Sequence, residues 1–554
     1  MPAAIPVITV VSGLAAAAYM VASKSSDKMI GVSAFMVLFT VQFFVWGFWR
    51  MFIYPFFISP LRHLPTPPGW QLGIGHIGEG ISRGLGVVGR ELVADIPNEG
   101  LIRVLGPFHQ EVLIATSPQV IAEVTVAKAY DFEKPQSLRD SFGPVLGLGL
   151  VLLEGPAHKL QRRNLMPAFA FRHIKDLYPL FWRKAREVVQ VMTEQCGADG
   201  CADIEVEHWA GRVSLDVIGV AAMGRDFGAT HNENDPLVRT YMSIATQTAQ
   251  DRFMLALVDT FGSIIPGSLL LSAPLPRLIE IKQAAQQIRT VCEDLIRAKT
   301  QKLRDSKLDD VDILSVAIRS GVFSEAELTH HMMTFLGAGH ETTASALTFA
   351  IYALCCRPEV QTRLRDEVRA HLPSVNDDRE ITSLEVDRLP YLSAVINEAL
   401  RLYSPVPQTI REAVRDTTIQ GQRLPRGTRL LLVPWATNAD ALLWGADSHA
   451  FRPERWLVAG GDDGGTAATA KEAALGGAST NYAMLSFLHG PRSCIGMSFA
   501  KGEFACLLAA WIGRFEFELR DKAMMDEANV TFEQLITSKI KGGVHVRMRV
   551  IPGY

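Results

Sequence analysis

One cysteine of the chain stands on a turn bracketed by glycines, in the stretch Phe487-Leu488-His489-Gly490-Pro491-Arg492-Ser493-Cys494-Ile495-Gly496. A deprotonated sulfur presented there is a soft, strongly donating ligand, of the kind that holds a haem iron and pushes electron density onto it in favour of O–O cleavage. Gly490 and Gly496 let backbone pass close to a porphyrin and adopt conformations closed to other residues. Met497-Ser498-Phe499-Ala500 opens an apolar segment that reads as a helix running towards Gly513. Backbone N–H groups at the start of that helix would point at the sulfur and stabilise its charge. Phe487 can shield one side, and Arg492 can pair with a haem propionate through a charge-assisted contact.

Such a ligand needs elements that hold it against a second surface, and the periodicity supplies them. Ser324-Glu325-Ala326-Glu327 is a capping-box pattern that predicts a long helix ending near Cys356, before Pro358. Inside it lies Ala338-Gly339-His340-Glu341-Thr342-Thr343, preceded by Gly337. Two glycines in a helix interior cost roughly 1 kcal/mol each relative to alanine, so they need a reason. They let something lie against the helix, or permit a local break that frees a carbonyl or opens a groove. Pro390 to Leu402 predicts a further helix with proline in its first turn, and Glu398 and Arg401 share one of its faces. The clearest strand regions are Leu101–Ile114, Thr417–Val433 and Val544–Ile551, with turn chemistry from Gly421, Pro425 and Gly427. Periodicity alone gives a mainly α domain with small β-sheets.

The pattern Phe-x-x-Gly-x-Arg-x-Cys-x-Gly over 487–496 resembles the haem-binding loop of the cytochrome P450 family, and three further motifs follow in family order. The resemblance implies a helix-rich prism with small sheets, haem b as cofactor and Cys494 as axial ligand of its iron. It implies that Glu341 and Thr342 are the acid and the hydroxyl that deliver protons on the distal face. Without that role, Glu341 would merely pair on a helix surface and Thr342 would bond a carbonyl of the preceding turn. It makes Glu398 and Arg401 a structural pair joined by Arg455 from Phe451-Arg452-Pro453-Glu454-Arg455-Trp456. Gly155-Pro156-Ala157-His158-Lys159-Leu160-Gln161-Arg162-Arg163 resembles the family helix that usually carries tryptophan and, one turn on, arginine. Here His158 replaces the tryptophan, so His158 and Arg162 are propionate candidates, against the plain reading of a basic solvent face. Arg411, after Pro405-Val406-Pro407, matches another position that reaches a propionate. His330, His331 and His340 share no metal-ligand spacing with a carboxylate or cysteine.

With 48% hydrophobic and 20% charged residues in 554, the chain is long enough for one large catalytic domain and an anchor. A formal charge of −3 and the lack of a long basic block argue against nucleic acid. Seven cysteines without paired spacing suit a reducing compartment. Ile5–Ala22 and Met29–Trp49 are uncharged apolar stretches, and the second would cover about 30 Å as a helix, the thickness of a bilayer core. A cleaved leader is the alternative for the first. As a hairpin the two would put Lys24 and Lys28 on the luminal side, against the positive-inside tendency, whereas Arg50 and Arg62 agree with it. Leu64-Pro65-Thr66-Pro67-Pro68-Gly69 is a stiff connector that resembles the proline-rich hinge of microsomal members. The expected division is therefore an anchor over 1–63 and a catalytic domain over 64–554, with a Gly/Ala-rich surface insertion over 460–480.

The activity the resemblance implies is a membrane-anchored monooxygenase that inserts one oxygen atom of O2 into an apolar organic molecule. Sixty residues follow Cys494, too few for a flavin domain, so an NADPH-dependent flavoprotein reductase is the expected partner, docking near Lys159, Arg163 and Lys501. The expected location is the endoplasmic reticulum membrane with the catalytic domain facing the cytosol. Phe142–Leu153 and Val406–Ile410 are apolar pocket segments that suit a lipid-like or terpenoid substrate. In style the chain resembles fungal members that tailor secondary metabolites. Two other classes remain beside this one: a thiolate-haem isomerase or dehydratase that uses no O2, and a non-catalytic haem sensor.

Overall fold

The computed structural model describes residues 4–23, 27–76, 83–232, 234–245, 248–261, 271–305, 312–458, 470–534 and 536–554. Two apolar helices, α1 (Ala4–Ala22) and α2 (Lys28–Phe48), pack as a hairpin, so closely that a Cβ on Gly31 would lie 2.3 Å from Met20 Sδ. Asp27 caps α2 by accepting the Met29 N–H at 2.9 Å. The helix continues as a wider π-type run over Trp49–Ile58, and Lys28–Ile58 is long and apolar enough to cross a membrane. Lys24 lies outside the described residues.

The apolar run over 101–114 breaks at Phe108 and His109, both at positive φ, into strands β1 (Leu101–Leu105) and β2 (Glu111–Ala115). After β3 (Phe132–Glu133) come helices α3 (Gln136–Leu146), α4 (Gly155–Leu165) and α5 (Tyr178–Glu194), then β4 (Cys201–Glu205). The middle of the chain is helical: α6 (Val206–Ile218), α7 (Pro236–Ala245), α8 (Pro276–Arg304), α9 (Glu325–Cys355), α10 (Pro358–His371) and α11 (Pro390–Leu402). The strand region over 417–433 breaks at Gly421 and Gly427, giving β6 (Thr417–Ile419), β7 (Gln422–Leu424) and β8 (Arg429–Leu432) after β5 (Thr409–Ala413). The thiol loop leads into α12 (Met497–Arg514), followed by β9 (Phe515–Leu519), β10 (Phe532–Gln534), β11 (Ser538–Ile540) and β12 (His545–Val550).

A five-stranded sheet has the order β1-β2-β8-β5-β3, parallel only between β2 and β8. A second sheet, β4-β12-β9, is antiparallel, and β6–β7 and β10–β11 are hairpins. This is a mainly α fold with small sheets. Helix α9 is its axis: its capping box is formed, and it is buried on nearly every face towards its C-terminal end, as a helix apolar all round requires. Trp182 of α5 and Trp511 of α12 are fully buried in the same core.

Two expected boundaries shift. Leu61 is 1% exposed in a core with Leu113, Ile121 and Leu430, Arg103 donates to the Pro55 carbonyl at 2.8 Å, and Ser59 donates to Glu111 at 2.7 Å. Residues 55–61 thus pack with the catalytic body, because an apolar core and buried ion pairs, not the prolines, set the junction. In the Gly/Ala-rich segment, 460–469 lie outside the described residues. Its last part is anchored: Ala473 and Ala478 are buried, and Gly476, at φ +61, packs where a Cβ would meet Trp456 and Trp444 at 2.9 and 3.0 Å. Tryptophans outside the segment supply the apolar surface that it lacks.

Candidate haem-thiolate site

The cysteine loop is closed by its own backbone: Cys494 N–H donates to the Phe487 carbonyl at 2.9 Å. Gly490 has φ +74, and a Cβ there would lie 2.1 Å from the Thr125 carbonyl oxygen, so only glycine fits. Helix α12 starts at once after Gly496, whose N–H reaches the sulfur and whose Cβ would lie 3.9 Å from it. Cys494 is exposed as a residue although protein surrounds it closely. Burial pushes its pKa up, while the Gly496 N–H and the Arg162 charge act against that. A metal ion that takes this sulfur displaces its proton outright.

Arg162 holds the loop from α4: its guanidinium donates to the Ser493 carbonyl at 2.7 Å and to Ser493 Oγ at 3.3 Å. The other basic candidates converge elsewhere, around one carboxylate. Glu154, just before α4, lies 2.5 Å from Arg492 Nη2 and accepts the Lys134 backbone N–H at 3.0 Å, with Lys134 Nζ at 3.5 Å. Arg492 also donates to the Phe132 carbonyl and lies over the Tyr130 ring. Arg411 is 4% exposed on β5 and donates to Thr409 Oγ1 and the Ile410 carbonyl. His158 is buried with its Nδ1 3.4 Å from the Tyr130 hydroxyl.

The electrostatics of this cluster are one-sided. Burial, then the Arg411 charge, lowers the Lys134 pKa to about 7. Burial, then Arg492, lowers His158 to about 4, and burial lowers Arg411 to about 10 although Glu154 opposes it. Two guanidinium groups, a lysine whose charge burial weakens and a neutral histidine therefore face a single carboxylate, an enclosed excess of positive charge that calls for further anions. Two propionates are such anions, so the donor set fits a haem: a thiol at a helix start on one side, and a basic pocket at the rim. Lys134 and Glu154 have no spacing relation to the cysteine loop, so no sequence signal points to them.

On α9 exposure returns where the core would predict none. Ala338 is exposed between buried Leu336 and His340. Thr342, four residues on and so on the same face, donates its hydroxyl to the Ala338 carbonyl at 2.8 Å. Glu341 points elsewhere: its Oε1 accepts Thr537 Oγ1 at 2.6 Å and lies 3.7 Å from Lys539 Nζ. The helix stays unbroken through Gly337 and Gly339, and close packing explains both glycines. A Cβ on Gly337 would meet Leu146 of α3 at 2.5 Å, and one on Gly339 would meet Ile218 of α6 at 2.7 Å. Among the described residues no group of three or more His, Cys, Asp or Glu could hold a metal ion.

Below the site Glu398 and Arg401 form a bidentate pair at 2.8 and 2.9 Å, both 0% exposed, and Arg455 Nε joins Glu398 at 3.0 Å. Trp456 Nε1 donates to the same carboxylate at 2.9 Å, and Arg401 ties the Asn438 and Ser448 carbonyls. Burial opposes ionisation of Glu398, but the two arginines outweigh it and hold its pKa below the ordinary value. Helix α11 is itself positioned by Glu367, which accepts the Tyr391 and Leu392 N–H groups at 2.9 and 2.8 Å at its start. Lys501, expected on a docking face, is instead half-buried on α12 and donates to Asn397 at 2.8 Å, whereas Lys159 and Arg163 are exposed. The Lys501 ammonium also lies over the Phe487 ring, 5.9 Å from the centroid.

The family described as Cytochrome P450 matches residues 100–544. The chain is 41% identical over 513 residues to cytochrome P450 monooxygenase sphH of Aspergillus fumigatus, covering 91% of each chain. It is 38% identical to cytochrome P450 monooxygenase buaD of Petromyces alliaceus over 99% of this chain and 100% of the relative. Against cytochrome P450 monooxygenase FUM15 of Gibberella moniliformis it is 40% identical, over 91% and 90%. With near full-length similarity to fungal monooxygenases and an intact glycine-bracketed cysteine loop, the chain belongs to the cytochrome P450 family and is an oxidoreductase of the monooxygenase type.

Proposed function

We propose that this chain is a membrane-anchored haem-thiolate monooxygenase that transfers one oxygen atom of O2 to an apolar organic substrate and reduces the other to water, consuming two electrons and two protons. The observation that carries the reading is Cys494, exposed yet closely surrounded by protein on its glycine-bracketed loop at the start of α12. Haem, when bound, supplies the oxygen activation and the redox chemistry.

The chain's own residues do the rest. Cys494 would hold the iron through its sulfur, and Gly496 N–H and Arg162 temper the charge of that sulfur. Arg492, Arg411, Lys134 and His158 would bind the carboxylates of the haem. Thr342 on the exposed face of α9 and Glu341, beside it in sequence but turned to Thr537, hold and move protons, since a two-proton reduction away from bulk water needs timed delivery. Leu146, Leu148 and Val151, by α3, present apolar surface, and the latter two are 50% and 38% exposed. Each 100 Å² of apolar substrate surface buried would be worth about 2.5 kcal/mol, which favours a lipid-like or terpenoid compound of secondary metabolism.

Electrons come from an NADPH-dependent flavoprotein reductase, for which exposed Lys159, Arg163 and Arg172 offer a basic docking face on the cysteine side. The apolar helix Lys28–Ile58 supports a membrane anchor, and in this reading the membrane is that of the endoplasmic reticulum with the catalytic body on the cytosolic side. The test is a reconstituted system of enzyme, reductase and NADPH, with a panel of terpenoids, sterols, fatty acids and polar metabolites under labelled O2. Label from O2 in an apolar product, with matching NADPH consumption, is expected. Product formed without O2 would instead mark an isomerase or dehydratase, and haem binding without turnover a sensor.

A further inference from the structure

Helix α3 runs out into a segment that alternates leucine and glycine, Leu146-Gly147-Leu148-Gly149, and this segment lies along α9. Gly147, at φ +68, turns the chain out of the helix. Thr334 of α9 donates its hydroxyl to the Leu146 carbonyl at 2.8 Å, one of the carbonyls that a helix end leaves without a partner. One turn back, His330 Nδ1 accepts the Leu148 N–H at 3.1 Å. A Cβ on Gly147 would lie 2.8 Å from the His330 carbonyl oxygen and one on Gly149 2.6 Å from it, so the two glycines let the segment rest on the helix. His330, Thr334, Ala338 and Thr342 follow one another at four-residue spacing and so share one face of α9. Leu146 thereby lies on Gly337, next to Ala338, whose carbonyl holds the Thr342 hydroxyl.

We propose that His330 and Thr334 are positioning residues that clip residues 146–149 to α9, and that the clip sets an apolar wall beside Ala338 and Thr342 which selects for bulky apolar substrates. This rests on the reading of that face of α9 as the side on which substrate meets haem. The clip is polar where the wall is apolar. Two hydrogen bonds fix the backbone, so the leucines are held in place without being sunk into the core: Leu148 is 50% exposed, whereas Leu150 and Leu152 beyond it are 6% and 2% exposed. An apolar surface left open gains about 25 cal/mol per Å² once a ligand covers it. Fixing a glycine-rich segment beforehand spares the binding step the entropy of ordering it. A small ligand that does not reach the wall gains nothing from the clip, so selection is by apolar size. The His330 contact also needs an unprotonated Nδ1, hence a neutral ring. Burial, then the Arg289 charge of α8, lowers the His330 pKa. On α9 its neighbours are His331, itself pushed down by burial, and Glu327, which is bonded to Ser324 and Gln161, and residues 146–149 carry no charge.

The experiment uses the full-length holoenzyme and two readouts. The first is hydrogen exchange of the Leu148 amide, which needs no ligand. At about pH 8 its protection should fall about tenfold in His330→Leu and persist in His330→Asn, whose carboxamide oxygen can accept the same bond. Because the folded pKa of His330 lies below the ordinary histidine value, wild-type protection, corrected for intrinsic exchange, should hold above that value and be lost as pH falls through the lowered one. His330→Asn should show no such loss. The second readout is binding of imidazole and of the larger phenylimidazole, followed by the shift of the haem absorption band. Thr334→Val and His330→Leu should weaken phenylimidazole about tenfold and leave imidazole unchanged, and Thr334→Ser, which keeps the hydroxyl, should match wild type. Unchanged exchange in His330→Leu, or equal weakening of the two azoles, overturns the proposal. Wild-type holoenzyme that takes neither azole brings down the underlying reading instead, and the exchange result still decides whether the clip exists. Should Thr334→Val and His330→Leu fail to hold haem, Gly149→Ala, whose Cβ would lift the segment from α9, decides on the same two readouts.

Discussion

Thr343 Oγ1 donates to Glu503 Oε2 at 3.2 Å, joining α12, the helix that follows the thiol loop, to α9. Glu503 lies nine positions beyond Cys494, is 0% exposed, and has no arginine or lysine beside it among the described partners. Burial pushes its pKa well above the carboxylate value, and the Thr343 and Ser214 hydroxyls offset only part of this. It is therefore a neutral acid in the fold, a polar bridge between α9 and α12 that needs no counter-charge.

A pH dependence follows with a definite sign. The unfolded chain loses the Glu503 proton near the ordinary carboxylate value, whereas the folded chain keeps it, so stability from this group is full below that value and is lost as pH rises towards the folded pKa. The loss is about 1.4 kcal/mol per pH unit in that window. Glu503→Gln keeps the shape without the titration, so its stability relative to wild type should rise between pH 5.5 and 7.5. Urea denaturation at several pH values measures this, and a pH-independent difference would contradict it.

Removing Glu398 leaves two buried guanidinium groups, Arg401 and Arg455, without their carboxylate. Breaking such a pair from one side costs about 3–5 kcal/mol. Glu398→Ala should therefore lower the thermal midpoint strongly and yield protein poor in haem, while distant Lys159→Ala should leave both untouched. Absorbance of bound haem against total protein, with a melting curve, checks the outcome.

Cys494→Ser replaces a soft donor with an alcohol that holds its proton far more firmly. The variant should incorporate little haem and lose the thiolate-type carbonyl spectrum. Since Cys494 is held by the Phe487 carbonyl through its backbone N–H, which serine retains, the loop itself should persist and circular dichroism should change little. An unchanged carbonyl spectrum would remove Cys494 from the iron.

The elements that carry local signals were legible in the chain. The capping box of α9, the proline start of α11, the glycine turns of the sheets and the thiol loop all depend on neighbours within a few residues. What escaped depends on convergence. Lys134, Glu154 and Arg492 come from three separate segments, and nothing in their spacing predicts one basic pocket. Glu207, Lys539 and Glu341 meet only because β10–β11 folds back on α9. Lys501 reads as surface charge because its type is usually exposed, yet its place on α12 leaves it half-buried against Asn397. Arg162 of α4 donates to the Ser493 carbonyl, a partner that helical spacing alone cannot name.

The junction between anchor and body gives a test in which two truncations differ. Deleting residues 1–48 removes both apolar helices and leaves Pro55, Ser59 and Leu61 to satisfy Arg103, Glu111 and the core beside β2. Deleting 1–63 also removes these contacts, exposing the buried Arg103–Glu111 pair, whose partners are 3.0 Å apart and nearly inaccessible. Losing the Leu61 side chain alone should cost about 2–5 kcal/mol, the range for emptying a buried leucine site. The shorter deletion should thus shift the enzyme towards the soluble fraction with its carbonyl spectrum intact, and the longer one should give aggregated or haem-poor protein. Fractionation followed by spectroscopy distinguishes them: equal stability of the two would show that residues 49–63 belong to the anchor, and membrane retention of both would mean that the catalytic body binds the bilayer without α1 and α2.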